Sequence, residues 1–276
     1  MTDPRPIDQT AHETAQITPL EAVRARIDAI DAELLRLINE RAAMPAKVAA
    51  AKAAEAGGDA SAGFGLRPAR EAQLIRRLMA GGAASPTLIT RVWRELIGDS
   101  LAQQGAYRLV AWGGRDPARI AELARFRFGS TPPLTMVGKA EEALKAAKVD
   151  GTVAILPLDP GAAWFGRLLA EPSLKVFAVL PCLNAWGAPF ALAVAGIAVE
   201  PSGGDQTLWV TDAIEPAAVI AHALGDAGLA GDLLIEAGGL KLFSLAGFVQ
   251  AHDPRLDSAP GRLKGVIGSA PLPFDL

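Results

Sequence analysis

The sequence predicts a multidomain protein in which an all-α region is followed by an α/β lobe and a smaller α+β unit. The 276 residues exceed the roughly 100–200 of one domain. Apolar residues recur at helical spacing through the first hundred positions, and from Tyr107 short strands alternate with helices. We place the boundaries at a flexible tail 1–17, a helical region 18–105, an α/β lobe 106–203 and an α+β unit 204–276.

Composition excludes several classes of function. A net charge of −3 argues against nucleic-acid binding driven by positive charge. The single cysteine, Cys182, excludes an internal disulfide and a zinc site built from several cysteines. With three histidines no histidine cluster is expected, so no metal site is predicted. The start of the chain has neither the basic segment nor the apolar stretch of a signal peptide. The uncharged run 176–199 is broken by Pro and Gly, which predicts two buried strands rather than a membrane span. We therefore expect a cytoplasmic protein.

The first helix begins at a capping box formed by Thr18 and Glu21, with Pro19 at the first helical position. Its apolar positions continue to about Ala54, which predicts a helix of roughly 36 residues against an average of about 11–12. Such a helix needs a partner along its length, such as another subunit. Pro45 lacks the amide that would bond the carbonyl of Arg41, so a kink is expected there.

The remaining elements follow from turn residues and periodicity. After a Gly-, Ala- and Ser-rich loop over 55–66, one helix begins near Pro68 and another is capped by Ser85 and ends near Gly105. Strands are predicted at 107–112, 134–137, 151–157, 175–180, 191–199, 207–211, 233–236, 241–250 and 263–267. Helices are predicted at 117–128, 139–148, 161–169 and 216–227, with a short helical segment near Pro254 and a linker at 201–204.

Helix geometry decides which charges of the helical region can act together. Arg41 and Lys52 are eleven residues apart, which places them about 20° apart in azimuth and about 16 Å apart along an ideal helix. Arg24 lies seventeen residues before Arg41, about 260° round and about 25 Å away, so it can join the same small site only from a partner subunit. Arg70 and Glu71 open the second helix, and Ser100 and Gln104 face the same way on the third.

These residues resemble the all-helical family of chorismate mutases over residues 20–104. The resemblance rests on LEAVRARIDAIDAELLRLINERAAMPAKVAAAK, LRPAREAQLIRRL and ITRVWRELIGDSLAQQ. It implies an intertwined helical homodimer that rearranges chorismate to prephenate without a cofactor, in the biosynthesis of phenylalanine and tyrosine.

The resemblance also implies a role for each candidate residue. Arg24 would bind a carboxylate in the pocket of the partner subunit, and Arg41 would bind one in its own. Arg70 would support the anionic side of the substrate and Ser100 would help to hold a carboxylate. Three further residues would be catalytic: Lys52 and Gln104 would donate to the ether oxygen, and Glu71 would accept from the ring hydroxyl.

The proposed roles suit the chemistry of a pericyclic rearrangement. Negative charge grows on the ether oxygen as its C–O bond lengthens, so donors fixed there stabilise the transition state more than the ground state. Two departures from the family accompany the match: Arg67 stands where some members have Asp, and the loop between Lys52 and Arg70 is longer than in the minimal enzymes.

The remainder of the chain carries weaker resemblances. Residues 107–200 resemble one lobe of prephenate dehydratase through TVAILPLDPG and WGGRDP, without its Glu-Asn-Ser and Thr-Arg-Phe motifs. Two glycines, Gly113 and Gly114, would offer backbone amides to an anion. Residues 206–276 resemble an ACT domain, with LFSLAGFVQAHDPRL the closest text and only Ala223-Leu224 and Ile235-Glu236 remaining of its phenylalanine-binding signatures.

Three functions stay open at this point. The first is a chorismate mutase whose C-terminal part is structural or regulatory, with an aromatic amino acid as a possible effector. The second is a bifunctional chorismate mutase and prephenate dehydratase. The third is a non-catalytic regulatory protein that binds chorismate or prephenate.

Overall fold

The computed structural model describes residues 18–44, 47 and 65–275, which fall into two compact units, Met1–Lys47 and Val48–Leu276. The first unit contains one described helix, α1 (Pro19–Ala42). Thr18 accepts from the amide of Glu21 while Glu21 accepts from the amide of Thr18, so the predicted capping box is confirmed. Four predictions lie wholly or mostly outside the described residues: the extension of the first helix to about Ala54 (of which residues 43, 44 and 47 are described), the kink at Pro45, the tail 1–17 and the loop 55–66.

The second unit begins with two helices and continues as a mixed α/β structure. The helices are α2 (Pro68–Ala80) and α3 (Pro86–Gln104), each with proline in its first turn as predicted. The other helices are α4 (Pro117–Phe128), α5 (Ala140–Ala147) and α6 (Ala217–Asp226). The strands are β1 (Arg108–Trp112), β2 (Leu134–Val137), β3 (Thr152–Pro157), β4 (Lys175–Leu180), β5 (Ala191–Ala195), β6 (Asp205–Thr211), β7 (Gly231–Ala237), β8 (Leu240–Ala246) and β9 (Lys264–Pro271).

These strands form one sheet in the order β2-β1-β3-β5-β4-β9-β6-β8-β7. β1 pairs in parallel with both β2 and β3, whereas β5 runs antiparallel between β3 and β4. Parallel pairing of β4 with β9 at Val176 and Gly268 joins the two halves. A single sheet therefore spans the predicted boundary at 203/204. That boundary stays a prediction, because one sheet can be shared by two domains.

Helices cover both faces of the first half of the sheet, as expected when strands and helices alternate. α4 packs on one face through Ile120 and Leu123, and α5 packs on the other through Ala143 and Leu144. The second apolar cluster also includes Leu101 of α3. The helical pair α2–α3 is therefore packed into the same unit as the sheet.

The second half of the sheet has its own connectivity. β6 and β7 run parallel with β8 antiparallel between them, α6 connects β6 to β7, and β9 runs antiparallel to β6 on its other side. The connection from β8 to β9 contains a 3₁₀ turn, Pro254–Leu256, where the sequence predicts a short helical segment.

Five predicted elements differ clearly from the structure. The strand predicted at 241–250 ends at Ala246, and the strand predicted at 263–267 continues to Pro271. The helix predicted at 161–169 is a 3₁₀ helix, Trp164–Ala170, and the strand predicted to reach Val199 ends at Ala195. The segment predicted as a linker at 201–204 is a packed turn, because Ser202 is buried and bonds the carboxylate of Asp205 through its amide and its hydroxyl. The glycine and serine residues at 201–204 therefore form a tight turn and not a flexible linker.

Candidate functional site

Arg24 and Arg41, the two candidate substrate-binding arginines of the first helix, both lie on α1. Every residue from Thr18 to Glu40 is exposed, including Arg24, whereas Arg41 is half-buried. Apolar residues recur along α1 at alternating steps of three and four, and each of them is between 43% and 58% exposed. They are Leu20, Val23, Ile27, Ile30, Leu34 and Leu37. We call these six residues the apolar seam; a repeat of 3.5 residues is the pattern of a coiled-coil interface.

Arg70 and Glu71 are neighbours in sequence but have opposite environments. Arg70 is exposed in the first turn of α2, and Glu71 is buried on the face that meets α3 and α4. Only Arg70 is therefore placed as a surface cation, and Glu71 belongs to an internal ion cluster.

This cluster joins three helices of the second unit. Oε2 of Glu71 accepts from Nη1 of Arg94 on α3 at 2.6 Å and lies 3.0 Å from Nη1 of Arg127 on α4. Both arginine side chains are only 4% exposed. Burial, followed by the positive charge of Arg127, lowers the pKa of Arg94 to about 10. Burial, followed by the charge of Glu71, raises the pKa of the nearby Tyr107.

The predicted pair on α3 is brought together as expected. Nε2 of Gln104 donates to the main-chain carbonyl of Ser100 at 2.9 Å, and Oγ of Ser100 donates to the carbonyl of Leu96 at 2.7 Å. Gln104 is exposed and Ser100 is half-buried. A four-residue spacing thus placed both polar groups on one face of the helix. Lys52 lies outside the described residues.

Arg94 and Arg127 are not among the site residues predicted from the sequence, although both carry a positional signal. Arg127 follows Ile120, Leu123 and Ala124 at helical spacing, so it occupies the apolar face of α4. Arg94 stands four residues from buried Thr90 and four from buried Gly98. An arginine on a buried helical face predicts a buried carboxylate partner, and Glu71 is that partner.

The two weaker motifs of the α/β lobe meet at the carboxyl ends of β1 and β3. Gly114 approaches Pro157 so closely that a Cβ on it would lie 2.7 Å from the proline Cγ. Nη2 of Arg115 lies 3.3 Å from Oδ1 of Asp159, which also accepts from the amide of Gly161 at 2.8 Å. Ligands of α/β sheets bind at this edge, where the strand order reverses. A cleft of about 420 Å³ opens beside it, lined in part by Trp112, Lys139, Trp164 and Arg167.

Of the residues that resemble the phenylalanine-binding signatures of ACT domains, some lie in the apolar core. Leu224 of α6 is fully buried and Ile235 of β7 nearly so, whereas the side chain of Glu236 is half exposed. Its Oε1 lies 3.5 Å from Nζ of buried Lys241.

The described residues lack two features that would bear on function. No group of three or more His, Cys, Asp or Glu side chains in this part of the chain could hold a metal ion. No helix within the same residues is long and apolar enough to cross a membrane.

Comparison with known proteins supports the resemblance of the helical region. Residues 23–105 match the family model described as chorismate mutase type II. A bifunctional chorismate mutase/prephenate dehydratase from Pseudomonas aeruginosa is 30% identical over 128 residues, which are 46% of this chain and 34% of the relative. The similarity thus spans about a third of the length of that relative.

A solved structure described as GqqA, a novel type of quorum quenching acylase, has a TM-score of 0.39 and 15% identity, and the match covers 59% of this chain and 95% of that one. At that TM-score the likeness carries no argument about fold or function.

Proposed function

We propose that this protein is a chorismate mutase, an isomerase that converts chorismate to prephenate in aromatic amino-acid biosynthesis. The observation that carries the proposal is the match of residues 23–105 to chorismate mutase type II, because this region contains the whole set of candidate residues. Arg24, Arg41, Arg70 and Ser100 bind the dianionic substrate. Lys52 and Gln104 donate to the ether oxygen.

The reaction requires positioning and charge stabilisation rather than proton transfer. The ether C–O bond breaks as a C–C bond forms, and electron density accumulates on the departing oxygen. An ammonium and an amide donor placed at that oxygen stabilise the transition state more than the substrate. Cations on the two carboxylates hold the enolpyruvyl side chain over the ring, which lowers the entropic cost of reaching the reactive geometry.

The active form in this proposal is a homodimer in which Arg24 reaches the pocket of the partner subunit. The apolar seam of α1 supports this, because its six large side chains are about half exposed in the single chain. Most of the stability of a protein helix comes from packing of its apolar face, so burial of the seam in a dimer would stabilise α1. At a rise of about 1.5 Å per residue, Arg24 and Arg41 lie about 25 Å apart along the helix. Both can therefore bind substrate only if they contribute to different pockets of the dimer.

The direct test is incubation of the purified protein with chorismate, followed by its loss of ultraviolet absorbance and by product identification after a mild neutral quench. Prephenate as the accumulating product is the expected result. Chorismate that is bound but not consumed would instead support a regulatory protein.

A second candidate function is a bifunctional mutase and dehydratase. Two observations favour it: the relative from Pseudomonas aeruginosa is described as bifunctional, and the segments around Gly114 and Asp159 meet at one edge of the sheet. Phenylpyruvate formed from purified prephenate would establish this activity. We rank it second because the Glu-Asn-Ser and Thr-Arg-Phe motifs are absent from the sequence.

We further propose that residues 204–276 form an ACT-like regulatory unit that follows the α/β lobe. The antiparallel order β9-β6-β8-β7, with the crossover helix α6, supports this assignment because it is the strand order of a split βαβ fold. Regulation by phenylalanine or tyrosine is tested by thermal shift and by mutase kinetics at millimolar amino acid. Indifference in both measurements would contradict it.

A further inference from the structure

The buried ion cluster connects the mutase-like helices to a residue outside them. Glu71 and Arg94 belong to the region that matches chorismate mutase, whereas Arg127 belongs to α4 of the α/β lobe. The Nη1 atom of Arg127 lies 3.0 Å from Oε2 of Glu71, so a group of the α/β lobe contacts a candidate catalytic carboxylate directly.

The two arginines contact the same carboxylate oxygen of Glu71. Both contacts fall on Oε2, and among the described residues no side chain donates to Oε1. The cluster contains two guanidinium groups and one carboxylate, so removal of Arg127 leaves a balanced pair of Glu71 and Arg94 and changes mainly the contacts that orient Oε2. Among residues 65–275, the carboxylate is therefore held through Oε2, and Oε1 is the oxygen of Glu71 that is left to accept from a hydroxyl.

The position of Arg127 is itself fixed by packing. Its guanidinium carbon lies 4.8 Å from the ring centroid of Phe128 and its side chain is buried. Close packing between α3 and α4 adds to this, because a Cβ on Gly98 would lie 2.2 Å from the carbonyl oxygen of Phe128. The α/β lobe thus presents Arg127 to Glu71 from a rigid backbone.

We propose that Arg127 is a positioning residue for the mutase reaction: it fixes the carboxylate of Glu71 through Oε2 so that Oε1 accepts the ring hydroxyl of the substrate. This inference rests on the proposed function. It gives the α/β lobe a role in the mutase site that the helical region cannot supply alone. Misplacement of a substrate-orienting group by about 1 Å can cost on the order of 100-fold in rate.

The test is a double-mutant cycle in the full-length protein with Arg127→Met, Glu71→Gln and the double variant. Steady-state mutase kinetics and thermal unfolding are measured for each. Arg127→Lys keeps the positive charge and provides the conservative variant. Arg125→Met is the matched control, since Arg125 lies on the same helix and bonds the carbonyls of Ser130 and Pro132 instead of Glu71.

We expect Arg127→Met to lower kcat/KM by about tenfold or more, since it acts through orientation of the substrate. The double variant should be no slower than Glu71→Gln alone, because a residue that acts through Glu71 has no effect once Glu71 is changed. Arg127→Lys should recover part of the activity, and Arg125→Met should stay within about twofold of the wild type, the range expected for a contact remote from the site.

Two outcomes overturn the inference, and they are distinguishable. If the wild type makes prephenate but Arg127→Met keeps its kcat/KM, or its loss adds independently to that of Glu71→Gln, the cluster is structural only and the proposed function stands. If the folded wild type makes no prephenate, the proposed function and this inference are both wrong. Should Arg127→Met not fold, the cycle is completed with Arg127→Lys, whose additivity with Glu71→Gln would equally contradict the inference.

Discussion

At the scale of the residue, Gln104 determines how the rate should depend on pH. An amide donor does not titrate, so we expect the wild-type turnover to be nearly flat from about pH 6 to about pH 8. The variant Gln104→Glu should lose activity as pH rises, because a carboxyl group with an ordinary pKa of about 4.3 is ionised there and no longer donates. Turnover measured against pH for both proteins tests this. A steep loss for folded wild type over the same range would contradict the role of Gln104.

Part of the site could be predicted from local spacing and part could not. Ser100 and Gln104 share a face because four residues make about one helical turn, and the structure confirms that prediction. Helical spacing with Pro68, Ala72 and Ile75 places Glu71 on the buried face of α2, so its burial had a local signal. Its partners could not be predicted in the same way, because they lie in two other helices, and one of those helices follows the first strand of the sheet.

At the scale of the element, the apolar seam of α1 should form the dimer interface. Leu34→Asp places a charge in the seam of both subunits, and the loss of two buried leucines, at roughly 1.5–3 kcal/mol each, amounts to roughly 3–6 kcal/mol per dimer. We expect dimer dissociation to become at least about 100-fold easier, since each 1.4 kcal/mol is a factor of ten, with loss of mutase activity. Sedimentation over a range of concentrations measures the equilibrium.

The control for this prediction is Ala32→Asp, which introduces the same carboxylate about 200° away around the helix. It should leave the dimer intact, because Ala32 is exposed and off the seam. A Leu34→Asp protein that remains dimeric and active would show that the seam of α1 is not the interface.

The attachment of α2 to the sheet gives a second prediction at this scale. Arg76 donates through Nη1 to the carbonyl of Ser202 at 3.0 Å and through Nη2 to the carbonyl of Gly204 at 2.7 Å. We expect Arg76→Ala to lower the free energy of unfolding by roughly 1.5–3 kcal/mol, the range for hydrogen bonds to charged groups. Chemical denaturation measures the change. The control is Arg77→Ala, which should change the free energy of unfolding little because Arg77 is exposed. Equal free energies of unfolding for the two variants would show that the bonds of Arg76 to Ser202 and Gly204 do not stabilise the fold.

Element boundaries were more predictable than element contacts. Caps and prolines gave the starts of α2, α3 and α4, because those signals act within one helical turn. The segment 201–204 was predicted as a linker from its glycines, yet Arg76 contacts it from far along the chain. The same composition serves a flexible linker and a tight turn, and the distant arginine decides between them.

At the scale of the whole molecule, one continuous sheet joins parts that the sequence separates. The alternation of strands and helices predicted a parallel sheet through β4. β1 pairs in parallel with β2 and with β3, but antiparallel β5 lies between β3 and β4, so the sheet is mixed. Pairing of β4 with β9 was not predictable, since it joins strands that are far apart in sequence and leaves the pattern of each unchanged. The helical pair α2–α3 packs into this unit, so changes in the α/β lobe can reach Glu71 through Arg127.

Mutase activity and the role of Lys52 are tested together by measuring product-resolved chorismate turnover for the purified wild type, Lys52→Ala and Lys47→Ala. Prephenate should accumulate with the wild type and with Lys47→Ala. Turnover should fall by about 100-fold or more with Lys52→Ala, because that variant removes a charged donor to the developing oxyanion. The comparison also separates this activity from any contaminating mutase. A folded wild type that makes no prephenate, or a Lys52→Ala variant within about tenfold of it, would contradict the account.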